Sequence, residues 1–159
     1  MTPPDEQERL CSLYGLDLLD TAPEERFDRI TDMAIKKFNV PISTIALIDK
    51  DREWFKSVQG LPKKEGPRDT SFCGHALIQE YIMIVSDTLK DERFLNNPQV
   101  INPPYIRFYA GKSLYERKTN KPVGVFCVKD YIPRVFNEKD IADFIELAIL
   151  AEDEINQKP

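Results

Sequence analysis

Apolar residues recur at helical spacing along the first part of the chain. Within residues 5–20, Leu10, Leu13 and Tyr14 share one side and Leu18 and Leu19 close the run, which predicts a first helix. Thr21 followed three residues later by Glu24 has the form of a capping box, and Pro23 is tolerated in a first turn. A second helix is therefore expected to about residue 39, burying Phe27, Ile30, Met33, Ala34 and Phe38.

Pro41 ends that helix, and the pattern changes to PISTIALID at 41–49, an almost continuous apolar run rich in β-branched residues, the mark of a central strand. After the acidic turn Asp49-Lys50-Asp51 the segment 52–59 alternates. Trp54, Lys56 and Val58 are expected on one face, with Phe55 and Ser57 on the other, so the two strands make a hairpin. A loop with Pro62, Gly66 and Pro67 leads to a short helix at about 74–80 and a strand at 82–86. Residues 87–105, with Pro98, Pro103 and Pro104, read as a long loop of the kind that covers a site. Strands at 106–115 and 122–130 form a second hairpin. Arg107 and Tyr109 share a face opposite Phe108 and Ala110, and Cys127 shares one with Val123 and Val125. Asn137 is a good N-cap for a last helix to about 157, in which Ile141, Phe144, Ile145, Ala148, Glu152 and Ile155 mark a core stripe and Leu147 and Leu150 a second apolar flank. Helices at both chain ends packed on an antiparallel sheet define an α+β fold, read as one domain over 1–159.

Composition narrows the function. A chain of 159 residues, 42% hydrophobic and 31% charged with a mean hydropathy of -0.43, has no apolar run long enough to span a bilayer. The N-terminus lacks a basic start and an apolar core, so export is not indicated and the cytoplasm is the expected location. A net charge of -5 opposes general nucleic-acid binding. Cys11, Cys73 and Cys127 are far apart and odd in number, without zinc or disulfide-framework spacing, so reduced thiols and no metal are expected.

The segment TSFCGHAL at 70–77 concentrates candidate chemistry, because it holds the single histidine, His75, and Cys73 on either side of Gly74. An imidazole can sense pH or hold an anion, and a thiol near a helix start is favoured as thiolate; a packed imidazole and a thiol used as a small apolar residue are the structural readings. Arg107 can pair with a ligand carboxylate or phosphate, or with Asp87 or Asp91. Tyr109 offers a phenol, and Trp54 and Phe126 can line a cavity or fill the core. No Ser-His-Asp set, phosphate-binding Gly loop or HExxH motif is present, nor a cyclase, phosphodiesterase or kinase phosphoacceptor motif.

Taken in order, LLDTAPEERFDRIT (18–31), PISTIALIDKDREWFKSVQGL (41–61), SFCGHAL (71–77), VSDTLKDERFLNNP (85–98), PYIRFYAG (104–111) and PVGVFCVKDYIPRVF (122–136) closely resemble a GAF domain of the bacterial signalling type. The resemblance implies five or six antiparallel strands, terminal helices on one face, a small-molecule pocket under loops on the other, and dimerisation through the terminal helices (1–20 and 137–157). It implies a non-enzymatic sensor coupled to a kinase, cyclase or phosphodiesterase effector. The expected ligand-binding residues are Trp54, Phe72, Cys73, His75, Asp87, Arg107, Tyr109 and Phe126, with the ligand and any cofactor unknown. The Asn-Lys-x-Phe-Asp-Glu motif of cyclic-nucleotide-binding members is absent, and Gly74 separates Cys73 from His75 where bilin-binding members commonly have the two adjacent. Two alternatives are a free methionine sulfoxide reductase, whose further loop cysteine has no counterpart in 87–105, and a degenerate GAF domain used only for dimerisation.

Overall fold

The computed structural model describes residues 3–157, so Met1, Thr2, Lys158 and Pro159, which the sequence reading placed in its terminal segments, lie outside the described residues. The elements run α1 (Glu6–Tyr14), α2 (Glu25–Phe38), β1 (Ile42–Ile48), β2 (Arg52–Gln59), β3 (Glu65–Pro67), α3 (Phe72–Ala76), β4 (Met83–Val85), α4 (Pro98–Ile101), β5 (Phe108–Glu116), β6 (Lys121–Asp130) and α5 (Glu138–Ile155). A six-stranded antiparallel sheet of order β3-β2-β1-β6-β5-β4 forms the middle layer.

Two apolar clusters lie on opposite faces of this sheet. One joins Leu10 and Leu13 of α1, Phe27, Ile30 and Ala34 of α2, and Phe144, Leu147 and Ala151 of α5 to Ile45, Leu47, Phe108 and Phe126 of the strands. The other joins Phe72, Cys73 and Ala76 of α3, with Phe94 and Val100 of the 87–105 segment, to Ala46, Phe55, Tyr109 and Cys127. The α+β architecture with terminal helices on one face is thus the one expected.

Several local expectations change. The first helix stops at Tyr14 instead of continuing to 20, because Gly15 is a poor helix former and Asp17 turns left-handed at φ 55. The capping box does not form: α2 starts at Glu25 without a side-chain cap. Thr21 Oγ1 instead donates to the Leu18 carbonyl at 2.6 Å, and the Lys56 ammonium takes both that hydroxyl and the Glu24 carboxylate. Met33 is 40% exposed and Thr31 fills the buried stripe. On β2 the pairing slips between Ile45 and Ala46, which leaves Lys56 as an extra residue. Beyond that bulge the side chains exchange faces, so Ser57 meets Thr31 of α2 and Val58 packs against the opposite cluster. A second slip at Leu114/Tyr115 leaves Val123 unpaired, and it joins the helix side, apart from Cys127 and Val125. The three-residue edge strand β3, blunted by Pro67, went unforeseen within the expected loop. Arg107 precedes β5 rather than lying within it.

Candidate functional site

Ser71 sets the position of α3. Its hydroxyl accepts from the Gly74 N–H at 2.9 Å and donates to the Arg68 carbonyl at 2.8 Å, an N-cap that satisfies one orphan donor of the first turn. A Cβ on Gly74 would stand 2.8 Å from that hydroxyl and 3.0 Å from the Arg68 carbonyl oxygen, so the turn is built for glycine. Helix α3 accordingly begins at Phe72, two residues before the expected start, and Phe72 and Cys73 point onto the sheet fully buried.

The sheet supplies the other walls. Tyr109 stacks on Phe72 with ring centroids 5.1 Å apart, and its hydroxyl donates to Cys73 Sγ at 3.2 Å. The phenol has room only because residue 111 is glycine, where a Cβ would lie 2.2 Å from the hydroxyl oxygen. Cys127 Sγ lies 3.1 Å from Thr44 Oγ1, in the same buried cluster as Cys73. Phe94 closes the top at 4.7 Å from Phe72, and its segment is held down by Asn97 and Gln99, whose side-chain amides both donate to the Thr70 carbonyl at 3.0 Å.

Two charged residues lie on the same face of the sheet as this packed cluster, and the space beneath α3 that these side chains fill is called the chamber. Glu53 is 2% exposed and its Oε1 has no hydrogen-bond partner among the described residues. Lys129 is 1% exposed, its ammonium 5.5 Å from the Phe72 ring, and it makes no ion pair within 4.0 Å among the described residues. Leaving a buried polar atom unpaired costs on the order of 1–3 kcal/mol, so Glu53 is expensive as packing alone. Burial pushes the Glu53 carboxyl up, against the opposing pull of Lys129 and Lys63. Burial also pushes the Tyr109 phenol up, helped by the two thiols. For Cys127, burial is outweighed by the neighbouring Cys73, the Lys129 charge and Thr44, which bring the thiol down. The neighbouring Cys127 and then burial push Cys73 well up. Burial would discharge Lys129, but Cys127, Glu53 and Cys73 keep it protonated. An acid and an ammonium thus share one buried, low-dielectric face of the sheet.

Of the eight residues singled out in the sequence, the structure gathers Phe72, Cys73 and Tyr109 here. His75 lies outside the chamber, edge-on to Phe94 at 4.9 Å, with burial and the Arg93 charge lowering its pKa. Arg107 is spent on Asp87 at 3.1 Å, a pair that joins the end of β4 to the start of β5 at the rim. Trp54 and Phe126 pack on the helix face, Phe126 against Phe144 at 4.9 Å, and are separated from the chamber by the sheet. Glu53 and Lys129 were missed. Their signal is readable: each is a charge at an inward alternating position, Glu53 two residues before Phe55 and Lys129 two after Cys127.

Beside the cap, Arg68 runs to the other side of the sheet. Its guanidinium donates to Glu6 of α1 at 2.6 Å and to the carbonyls of Asp49 and Lys50 at 3.1 and 3.3 Å. The same carboxylate receives the buried Arg9 at 2.8 Å. Burial would raise Glu6, but the bonds from Arg9 and Arg68 prevail and hold it at about 2. A separate groove of about 1340 Å³ lies among α1, the 15–26 segment, the β5–β6 turn and the end of α5. Its Arg26, Arg117 and Lys121 are already paired with acidic neighbours, so it holds no chemistry comparable to the chamber. No group of three or more His, Cys, Asp or Glu side chains is arranged to hold a metal, and no helix is long and apolar enough to cross a membrane, among the described residues.

The GAF domain family model matches residues 22–155. The chain is 37% identical over 141 residues to the cyclic di-GMP phosphodiesterase PA2567 of Pseudomonas aeruginosa, covering 88% of this chain and 24% of that protein, so it spans about a quarter of the length of that relative. Among solved structures, the GAF domain of a phosphoenolpyruvate-protein phosphotransferase from Coxiella burnetii is similar with a TM-score of 0.67 and 15% identity, covering 95% of this chain and 94% of that one. The free methionine-R-sulfoxide reductase from Neisseria meningitidis is similar with a TM-score of 0.65 and 17% identity, covering 98% and 95%. At such identities the structural likeness carries the fold alone.

Proposed function

This chain belongs to the GAF domain family, and from that premise we propose that it is a non-enzymatic regulatory module that binds a small molecule in the chamber beneath α3. The observation that carries the reading is the pair of buried ionisable residues on the sheet face beneath α3, Glu53 with an oxygen unpartnered and Lys129 without an ion pair among the described residues. A ligand with a hydrogen-bond donor for Glu53 and an acceptor for Lys129 satisfies both. Its entry requires α3 and the 87–105 segment to lift, because Phe72, Tyr109 and Phe94 fill the space in the closed form.

The output in this reading is a change in helix packing. Ala142, Ile149 and Leu150 are exposed on α5 and Ile145 is half-buried, an outward apolar stripe suited to a second copy of the chain. A dimer in the cytoplasm would pass the change to an effector of the kinase, cyclase or phosphodiesterase type, and the similarity to a cyclic di-GMP phosphodiesterase supports the last of these. The 87–105 segment contains no cysteine, which sets the chain apart from the reductase reading.

Native mass spectrometry of gently purified protein tests the proposal. A dimer carrying an added small-molecule mass, lost in Glu53→Gln or Lys129→Met, is the expected result. A bare protein that stays empty across a metabolite screen would refute ligand sensing and leave a dimerisation scaffold.

A further inference from the structure

Cys73 and Cys127 are given more than packing requires. A buried thiol used as a small apolar residue needs no polar partner, yet each sulfur here has a hydroxyl beside it, Tyr109 at 3.2 Å for Cys73 and Thr44 at 3.1 Å for Cys127. Both thiols lie in one buried cluster between α3 and β6, and the Tyr109 hydroxyl that bonds Cys73 stands over Gly111, which pairs with Cys127 across β5 and β6. Lys129, two residues after Cys127 on the same strand face, presents a buried ammonium to the pair. The charged and titratable groups facing the sulfurs are thus Glu53, Lys129 and Tyr109.

We propose that Cys73 and Cys127 form a peroxide-reactive dithiol, which a small hydroperoxide converts to a disulfide joining α3 to β6. Cys127 is the attacking sulfur, since it shares a strand face with the buried ammonium of Lys129 and has the Thr44 hydroxyl 3.1 Å from its sulfur, both of which favour a thiolate. It bonds to one peroxide oxygen, the O–O bond breaks, and the departing oxygen takes the Cys73 proton and leaves as an alcohol or water. Cys127 is then a sulfenic acid. The Cys73 thiolate attacks that sulfur, the S–S bond forms, and hydroxide leaves to be protonated as water. Two thiols give up two electrons and two protons, and the hydroperoxide is reduced to alcohol and water. Glu53 Oε1, unpartnered among the described residues, offers an acceptor to the peroxide O–H. Cys11, exposed and on α1, has no part in this and is an internal control.

The test is oxidation of the intact chain with a few equivalents of hydrogen peroxide, followed by denaturation, alkylation and peptide mass analysis. The expected product is a Cys73–Cys127 cross-linked peptide pair, reversed by a dithiol reductant, with Cys11 still alkylated. Lys129→Met and, as a milder change, Thr44→Val should each slow formation of the cross-link several-fold. Recovery of both Cys73 and Cys127 fully alkylated under conditions that oxidise Cys11 would overturn the proposal. So would cross-linking at a rate that neither variant alters.

Discussion

Replacing Glu6 by Gln removes the charge that joins α1 to the segment capping α3. The carboxyl is held at about 2 against an ordinary 4.5, and at ~1.4 kcal/mol per unit the whole depression corresponds to about 3.4 kcal/mol. Glu6 is only partly buried, with 21% of its side chain exposed, and solvent screening brings the expected loss to roughly 2 kcal/mol at pH 7. The sign follows from linkage. A carboxyl depressed in the folded state stabilises fully above its unfolded value of 4.5 and ceases to do so as pH falls through about 2. About three quarters of the difference between wild type and Glu6→Gln should survive at pH 4 and about two fifths at pH 3. Urea unfolding of both proteins at pH 7, 4 and 3 measures it. A difference that stays constant from pH 7 to pH 3 would mean that Gln disrupts packing rather than a charge, and would refute the electrostatic link.

Gly111→Ala places a methyl 2.2 Å from the Tyr109 hydroxyl, and with that ring fully buried the expected cost is about 2–4 kcal/mol; an unchanged melting temperature by circular dichroism would contradict the close approach. Glu53→Gln removes a buried carboxyl with an unpaired oxygen. Because burial raises this acid in the folded state, its penalty grows as pH rises above the unfolded value, so the variant should gain about 1 kcal/mol at neutral pH. Equal stability across the pH range, measured by urea unfolding, would count against a buried charge. Ile149→Glu, at a position 49% exposed, should leave folding intact and convert a dimer to a monomer in sedimentation velocity; a dimer of unchanged affinity places the interface elsewhere.

The strands and the outer helices were legible because their signals are periodic. β1 reads as a buried apolar run and is buried throughout, and Asn137 and Asp140 form the capping box that opens α5. What the sequence hid were departures from period. The extra residue at Lys56 reverses the faces of Ser57 and Val58, and nothing in REWFKSVQ announces it. Thr21 and Glu24 matched a capping motif by spacing, yet Lys56, distant in sequence, took both side chains. Phe72, Cys73 and Tyr109, singled out from local chemistry, lie together on one face of the sheet. Trp54 and Phe126 were chosen as large aromatics, with no means of knowing which side of the sheet held the chamber. Glu53 and Lys129 were passed over because a charge in a strand ordinarily faces solvent.

On the proposed sensor reading, a ligand beneath α3 would act on the helices across the sheet through the following contacts. A ligand that displaces Phe72 and Cys73 moves the first turn of α3, whose Ser71 cap is bonded to the Arg68 carbonyl at 2.8 Å. The Arg68 guanidinium is anchored to Glu6, and Glu6 also holds Arg9, which reaches the Pro122 carbonyl at the start of β6. A link worth roughly 2 kcal/mol favours the intact pair by up to about thirtyfold over the broken one, so movement of the cap shifts α1 more readily than it severs the contact. The ligand can bias helix packing only by the difference in its affinity for the two arrangements. A disulfide between Cys73 and Cys127 would act on the same joint, since it fixes α3 on β6 and opposes the opening that a ligand needs.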